Sequence, residues 1–98
     1  MYLKVHKFPG GEIVALCDAD LLGQVLSDSK RHLDLCAHAN FYNGKKVDRK
    51  AAVSALRGAI NVNLVGKKSL AAAKSAGFRA TKAQRIAGVP HLQIYSIA

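Results

Sequence analysis

The sequence predicts an α+β domain: a mixed or antiparallel sheet of about four strands with two to three short helices packed on it. Three observations lead there. Stretches near both ends alternate between apolar and polar residues with the period of a strand, Pro, Gly and Asn separate them, and of two later stretches one carries apolar residues at helical spacing behind Asp48 and the other is alanine-rich and ends at Gly77. A chain of 98 residues accommodates one such domain, 1–98, and can bury roughly two-thirds of its extended surface. Many of its apolar residues are alanine, so the expected core is compact and modest.

In chain order, Tyr2 to Phe8 alternates, with Leu3 and Val5 on one face and Tyr2, Lys4, His6 and Phe8 on the other. Pro9-Gly10-Gly11 supplies a turn, and Glu12 to Cys17, apolar on both faces, reads as an internal strand paired to the first in a hairpin. Asp18 suits the N-cap of a short helical turn over Ala19 to Val25, with Asp20 favouring its dipole. Ser27 to Arg31 reads as a loop. His32 to His38 alternates again, which predicts a third strand with Leu33, Leu35 and Ala37 inward.

Asn43-Gly44 marks a turn, after which Asp48 can cap a helix running to about Gly58, with Val53, Leu56 and Ile60 as its apolar stripe. Ala59 to Val65 fits either a short strand or a continued helix. Lys67 to Ala76 predicts an alanine-rich helix that Gly77 stops. Thr81 can cap one more turn ending near Ala87, Val89 is extended because Pro90 follows, and His91 to Ile97 reads as a closing strand.

No stretch reaches the roughly 18 apolar residues of a membrane span, and Met1 to Val5 lacks the apolar core and cleavage site of a signal peptide. A cytoplasmic protein without a membrane partner is expected. Two cysteines, Cys17 and Cys36, suit a reducing compartment and predict buried free thiols, since both lie in apolar strand-like runs.

Charge is the feature that names a partner class. After Asp48 the chain has no acidic residue but nine basic ones: Arg49, Lys50, Arg57, Lys67, Lys68, Lys74, Arg79, Lys82 and Arg85. The first 48 residues balance six bases against six acids, so the formal net charge of +9 belongs to the second half. Like charges on so small a domain repel one another unless a polyanion neutralises them, and phosphate backbones are the commonest such polyanion.

Val65-Gly66-Lys67-Lys68-Ser69 resembles half of a nucleotide-binding P-loop, but position 61 is Asn where the second glycine belongs. An anion at the exposed amides of that helix would still offset lysines placed at the positive end of its dipole. Lys50 and Arg57 lie one above the other on the preceding helix, and Lys74, Arg79, Lys82 and Arg85 extend the basic track. Tyr2, His91 and Tyr95 are candidate base-stacking residues if their strand faces are open; the ordinary alternative is that helices cover them. Cys17, Cys36, His32 and His38 lack zinc spacing, and neither the histidines nor the carboxylates form a catalytic motif, so no metal, no cofactor and no catalytic residue is expected.

Five stretches together carry a resemblance: Met1 to Val5, Val14 to Asp18 with Leu21-Leu22-Gly23, Phe41 to Gly44, Asn63 to Lys67, and Gly88 to His91 with Gln93. In this order they resemble an archaeal family known as domain of unknown function 424, over nearly the full chain. The resemblance implies a small archaeal α+β protein of unestablished biochemistry, for which a link to RNA or translation is an expectation, and no catalytic residues. Relatives often carry acids where this chain has Arg49, Lys50, Arg57 and Lys74, so the charge argument rests on this sequence alone.

The expectation is therefore a non-enzymatic RNA-binding protein that docks on ribosomal RNA, beside neighbouring ribosomal proteins, through its basic second half. Two alternatives remain open at this point. One is a phosphometabolite-binding protein or small enzyme using the helix after Gly66 with His91 or Asp18, although a small-molecule ligand is not expected; the other is an adaptor for an acidic protein.

Overall fold

Strands β1 (Tyr2–Phe8) and β2 (Gly11–Cys17) form the expected antiparallel hairpin in a computed structural model that describes residues 1–96. The ladder joins Tyr2 to Cys17 at one end and Phe8 to Gly11 at the other. The stretch that fitted either strand or helix is a strand, β6 (Asn61–Val65), and it pairs in parallel with β2. It is buried on both faces, which explains its strand-like β-branched residues. Strand β8 (Val89–Ile94) runs antiparallel to β6. The expected last strand thus starts at Val89 and ends at Ile94, and Ile97 lies outside the described residues.

Short strands enlarge the sheet beyond the four or so expected. Lys45–Lys46 (β5) adds to β1, and Gln84–Ile86 (β7) adds to β8, giving a six-stranded mixed sheet of order β5-β1-β2-β6-β8-β7. Strand β7 replaces the end of the helical turn expected up to Ala87; only Ala80–Lys82 is helical there, as one 3₁₀ turn. Ala87 and Gly88 take φ of +50° and +81°, the pair of positive values that a two-residue hairpin requires.

Two helices cover one face of the sheet. Asp48 caps α2 (Arg49–Leu56) as expected, accepting from the Ala51 amide at 2.8 Å. The helix stops at Leu56, so Ile60, expected on its apolar stripe, stands 66% exposed. Helix α3 (Lys67–Ser75) matches expectation, and its Ala72 and Ala73 are fully buried, allowing close approach to the sheet. Val14, Leu16, Leu56, Val62, Leu64 and Leu92 form the core of this layer with them. Each fully buried leucine contributes about 1.5–3 kcal/mol of transfer free energy.

The segment from Asp18 to Gly44 covers part of the opposite face. The helical turn expected over Ala19 to Val25 is a run of turns to Gly23, followed by β3 (Val25–Ser27), which pairs with β4 (His32–Asp34) as a separate two-stranded sheet. The third strand ends at Asp34 and not His38, because the Asp34 side chain accepts from the Cys36 and Ala37 amides at 3.0 and 2.8 Å and bends the chain. Those bonds, that to Ala37 foremost, hold the Asp34 carboxyl below its ordinary range. A short helix, α1 (Ala39–Tyr42), follows. Leu26, Leu35 and Tyr42 from this segment pack on Ala15, Cys17, Val65 and Ile86, whereas Ala37, expected inward, is exposed. No helix among the described residues is long and apolar enough to cross a membrane.

The two cysteines part company, since Cys17 is buried while Cys36, expected buried, is exposed just past the Asp34 bend. Burial, with the nearby Asp18 and Asp20 charges, pushes the Cys17 thiol up to about 12. Titration of the native protein with a thiol reagent at mildly alkaline pH should therefore modify Cys36 alone, and Cys17 should react only after denaturant is added; two equally fast thiols would contradict this burial.

Asp28 ties the covering hairpin to the β7–β8 turn by accepting from the Ala87 amide at 2.9 Å and from the Lys30 and Arg31 amides at 2.9 and 2.8 Å. The Ala87 bond foremost lowers its carboxyl from 3.8 to about 2. Protonation in the unfolded chain precedes protonation in the fold, so this contribution is complete above pH 3.8 and is lost as pH falls toward about 2. Urea unfolding of Asp28→Asn across that window should show a weaker dependence of stability on pH than the parent.

Candidate nucleic-acid interface

The nine bases after Asp48 are all exposed, but the fold divides them. Arg49, Lys50 and Arg57 line a shallow groove along α2 with Val53 and Ser54. The Arg49 guanidinium donates to the Ser75 hydroxyl at 2.9 Å, which brings the start of α2 beside Lys74 in the last turn of α3. Lys67 and Lys68 sit at the opposite end of α3, roughly 10 Å away at 1.5 Å of rise per residue. Arg79 precedes the 3₁₀ turn and Lys82 ends it, and Arg85 on β7 lies on the helix side of the sheet, opposite Pro90, with its guanidinium 3.4 Å from the Gly88 carbonyl.

The beginning of α3 already holds an anion, and it comes from the chain itself. Asp18, 5% exposed, accepts from the Lys68 amide at 3.1 Å, the Ser69 amide at 2.8 Å and the Ser69 hydroxyl at 2.7 Å. Its carboxyl satisfies two of the orphan amides of the first turn and sits at the positive end of the helix dipole. Gly66 has φ +113° and lies so close to the Asp18 carboxyl that a Cβ there would overlap it. Its place in the motif thus reflects room for Asp18, and an external phosphate at these amides would have to displace an internal carboxylate. Asp18 and Asp20 also line the cavity beside Lys67 and Lys68, lowering the positive potential there.

The other candidates lie on the face turned away from the helices. Register places Tyr2, Cys17, Val65, His91 and Gln84 in one row across the sheet, and Lys4, Ala15, Asn63 and Gln93 in the next. Tyr2 is three strands from His91, about 14 Å at the usual strand spacing, with buried Cys17 and Val65 between them. His91 and Tyr95, in contrast, come together through Asn63. The Asn63 Oδ1 accepts from the Tyr42 hydroxyl at 2.7 Å and faces His91 Nε2 at 3.0 Å, and its Nδ2 donates to the Tyr95 hydroxyl at 2.9 Å. Burial lowers the His91 ring below its ordinary value and raises the Tyr42 hydroxyl, so both favour their neutral forms.

The covering segment stops short of the whole face. His6 stacks on Phe41 with centroids 4.4 Å apart and its Nε2 lies 2.8 Å from the Phe41 carbonyl, while Lys4 donates to the Asn40 carbonyl at 2.6 Å. These contacts fix the edge of the cover. Beyond it Phe8 is 46% and Tyr95 47% exposed. From sequence, Asn63 and Tyr42 belong to the stretches that carry the family resemblance but not to the candidate site residues; the available signal was the polar alternation Asn61-Val62-Asn63-Leu64 in a strand otherwise suited to burial. Among the described residues, no three His, Cys, Asp or Glu side chains could share a metal ion.

A family model described as "Protein of unknown function (DUF424)" matches residues 6–97. Among solved structures, the crystal structure of an uncharacterized conserved protein from Methanopyrus kandleri is similar, with 27% identity and a TM-score of 0.81 over 99% of this chain and 94% of that one. None of the curated proteins matches the chain.

Replacing Asp18 by Ala leaves the α3 amides and Ser69 without their acceptor and should destabilise the fold by about 3 kcal/mol in urea unfolding. Gly66→Ala should cost a similar amount, through both φ and the overlap with Asp18. A loss below about 0.5 kcal/mol in both would show that the contact is dispensable.

Proposed function

We propose that the chain, which belongs to the family described as Protein of unknown function (DUF424), is a non-enzymatic protein that binds structured RNA, with ribosomal RNA the first candidate and neighbouring ribosomal proteins its company in the cytoplasm. One observation carries the reading: nine basic side chains are exposed in the second half of the molecule without a single acid among them in sequence. Such a surface repels itself and is relieved by a polyanion. Arg49, Lys50, Arg57 and Lys74 form its densest part, around the helix layer, and Arg79, Lys82 and Arg85 continue it.

Contacts of this kind position a protein on phosphates and read helix shape, with little preference for base sequence in paired regions. Lys67 and Lys68 take part through their exposed side chains, because the Lys68 and Ser69 amides serve Asp18. That occupation weighs against the reading of the α3 beginning as a phosphometabolite site. An acidic protein partner would satisfy the same charge; nuclease treatment separates the two, since binding that survives removal of RNA belongs to a protein.

If six of the nine bases meet phosphates, the log-log slope of affinity against salt should be about −4 to −5. Filter binding to a structured RNA across a salt series measures it. Replacing Lys67 and Lys68 together by Gln should reduce its magnitude by about 1–2. A salt-independent affinity excludes this mechanism.

A further inference from the structure

Two adjoining cavities share Tyr95, one on the uncovered part of the sheet and one at the edge of the cover, where Leu33, His38, Phe41 and Tyr42 form part of its wall. One, of about 420 Å³, has Phe8, Ile13 and Asn61 in its lining; the other, of about 290 Å³, has Phe41, His91 and Gln93. Among the described residues, neither lining includes Lys, Arg, Asp or Glu. A bare phosphate or a carboxylate therefore finds no lysine or arginine inside them, and the basic side chains in the second lining are the imidazoles of His38 and His91. An aliphatic side chain would displace water from the Tyr95 hydroxyl and the Gln93 amide without replacing its hydrogen bonds, at a cost of about 1–3 kcal/mol for each.

The hydrogen-bond inventory around Asn63 defines what would fit. Its Oδ1 is shared by Tyr42 and His91, which assigns the His91 proton to Nε2 and leaves Nδ1 as an acceptor. Its Nδ2 bonds the Tyr95 oxygen, so the Tyr95 hydroxyl proton is directed elsewhere. Gln93, on the same face and exposed, adds an amide that both donates and accepts. The second cavity thus combines ring walls with a donor, an acceptor and an amide. A neutral flat ring with hydrogen-bonding edges matches that set, and unpaired nucleobases are such rings.

Cations stand at the margins, where a sugar-phosphate chain would pass. Arg31 reaches over to Gln84, donating to its Oε1 at 3.0 Å, and Gln84 is the direct cross-strand neighbour of His91. Lys4 lies at the other side, against α1. Two cations flanking a ring-lined floor that holds no Lys, Arg, Asp or Glu are complementary to a single strand, whose charge is on its backbone and whose bases are neutral.

We propose that the two cavities seat successive unpaired bases of an RNA strand on either side of Tyr95. This rests on the RNA-binding reading above and adds to it a second kind of contact, made to bases and on the opposite face from α2 and α3. The protein would then hold a junction, with a paired region against its helices and an adjoining unpaired stretch across its sheet.

Fluorescence anisotropy with labelled oligo-U, oligo-A and a fully paired stem of equal charge, at one salt concentration, tests this on the full chain. The quantity read is the ratio of affinities for unpaired and paired RNA. Tyr95→Ala should lower that ratio about tenfold or more. Tyr95→Phe should keep most of it while narrowing the difference between oligo-U and oligo-A, as should Gln93→Ala, an exposed substitution that keeps the test informative if Tyr95→Ala misfolds. A ratio and a base preference that all variants hold within about twofold, with RNA still bound, overturns the base seat and leaves the docking reading intact. Failure of the parent protein to bind either kind of RNA overturns both.

Discussion

Where β2 ends, the next side chain crosses to the first turn of α3 and accepts three hydrogen bonds from it, so that one buried carboxyl joins the sheet to the helix that covers it. The backbone supports the same junction: the Asp18 amide continues the ladder to the Val65 carbonyl, and the Gly66 amide bonds the Pro90 carbonyl. Three sheet strands and a helix therefore meet within a few residues. The direction of α3 across the sheet follows, and with it the burial of Leu70, Ala72 and Ala73. The placement of the basic helix surface is a consequence of this attachment.

The two faces of the sheet have been given different chemistry. The helix side is aliphatic inside and basic outside. The other side has a smaller core, made by the β3–β4 hairpin and α1, and then an uncovered stretch where rings and amides take over from aliphatic residues. Asp28 and the His6–Phe41 stack hold that cover in place from opposite ends. What remains open is therefore bounded by specific contacts and is not merely the place where the chain ran out of residues to cover it.

Elements whose causes are local could be read from sequence. The first hairpin announced itself by alternation around Pro9-Gly10-Gly11, α2 by Asp48 and its apolar spacing, and α3 by alanine content and Gly77. Strands β3, β5 and β7, of two or three residues, are too short to display any period. Asp18 was misread for a deeper reason: its sequence context is that of a cap for the residues that follow, while in space it serves amides 50 and 51 positions later. The basic composition of the second half was equally plain, but its division between the two ends of α3 depends on how the helices lie. The family was legible from scattered motifs, and the match over residues 6–97 agrees. The alternation Asn61-Val62-Asn63-Leu64 marks a polar face, but the role of Asn63 on it depends on Tyr42, His91 and Tyr95, which come from other elements.

The pair Asn61 and Asn63 on β6 has a consequence for how the sheet assembles. A slip of β6 by one position against β2 would turn both amides into the aliphatic layer beneath α2 and α3 and expel Val62 and Leu64 onto the polar side. Parallel pairing has no hairpin to fix its alignment, so misalignment is its natural error. In this strand the asparagines act as a key that turns in one position only, penalising every odd offset during folding.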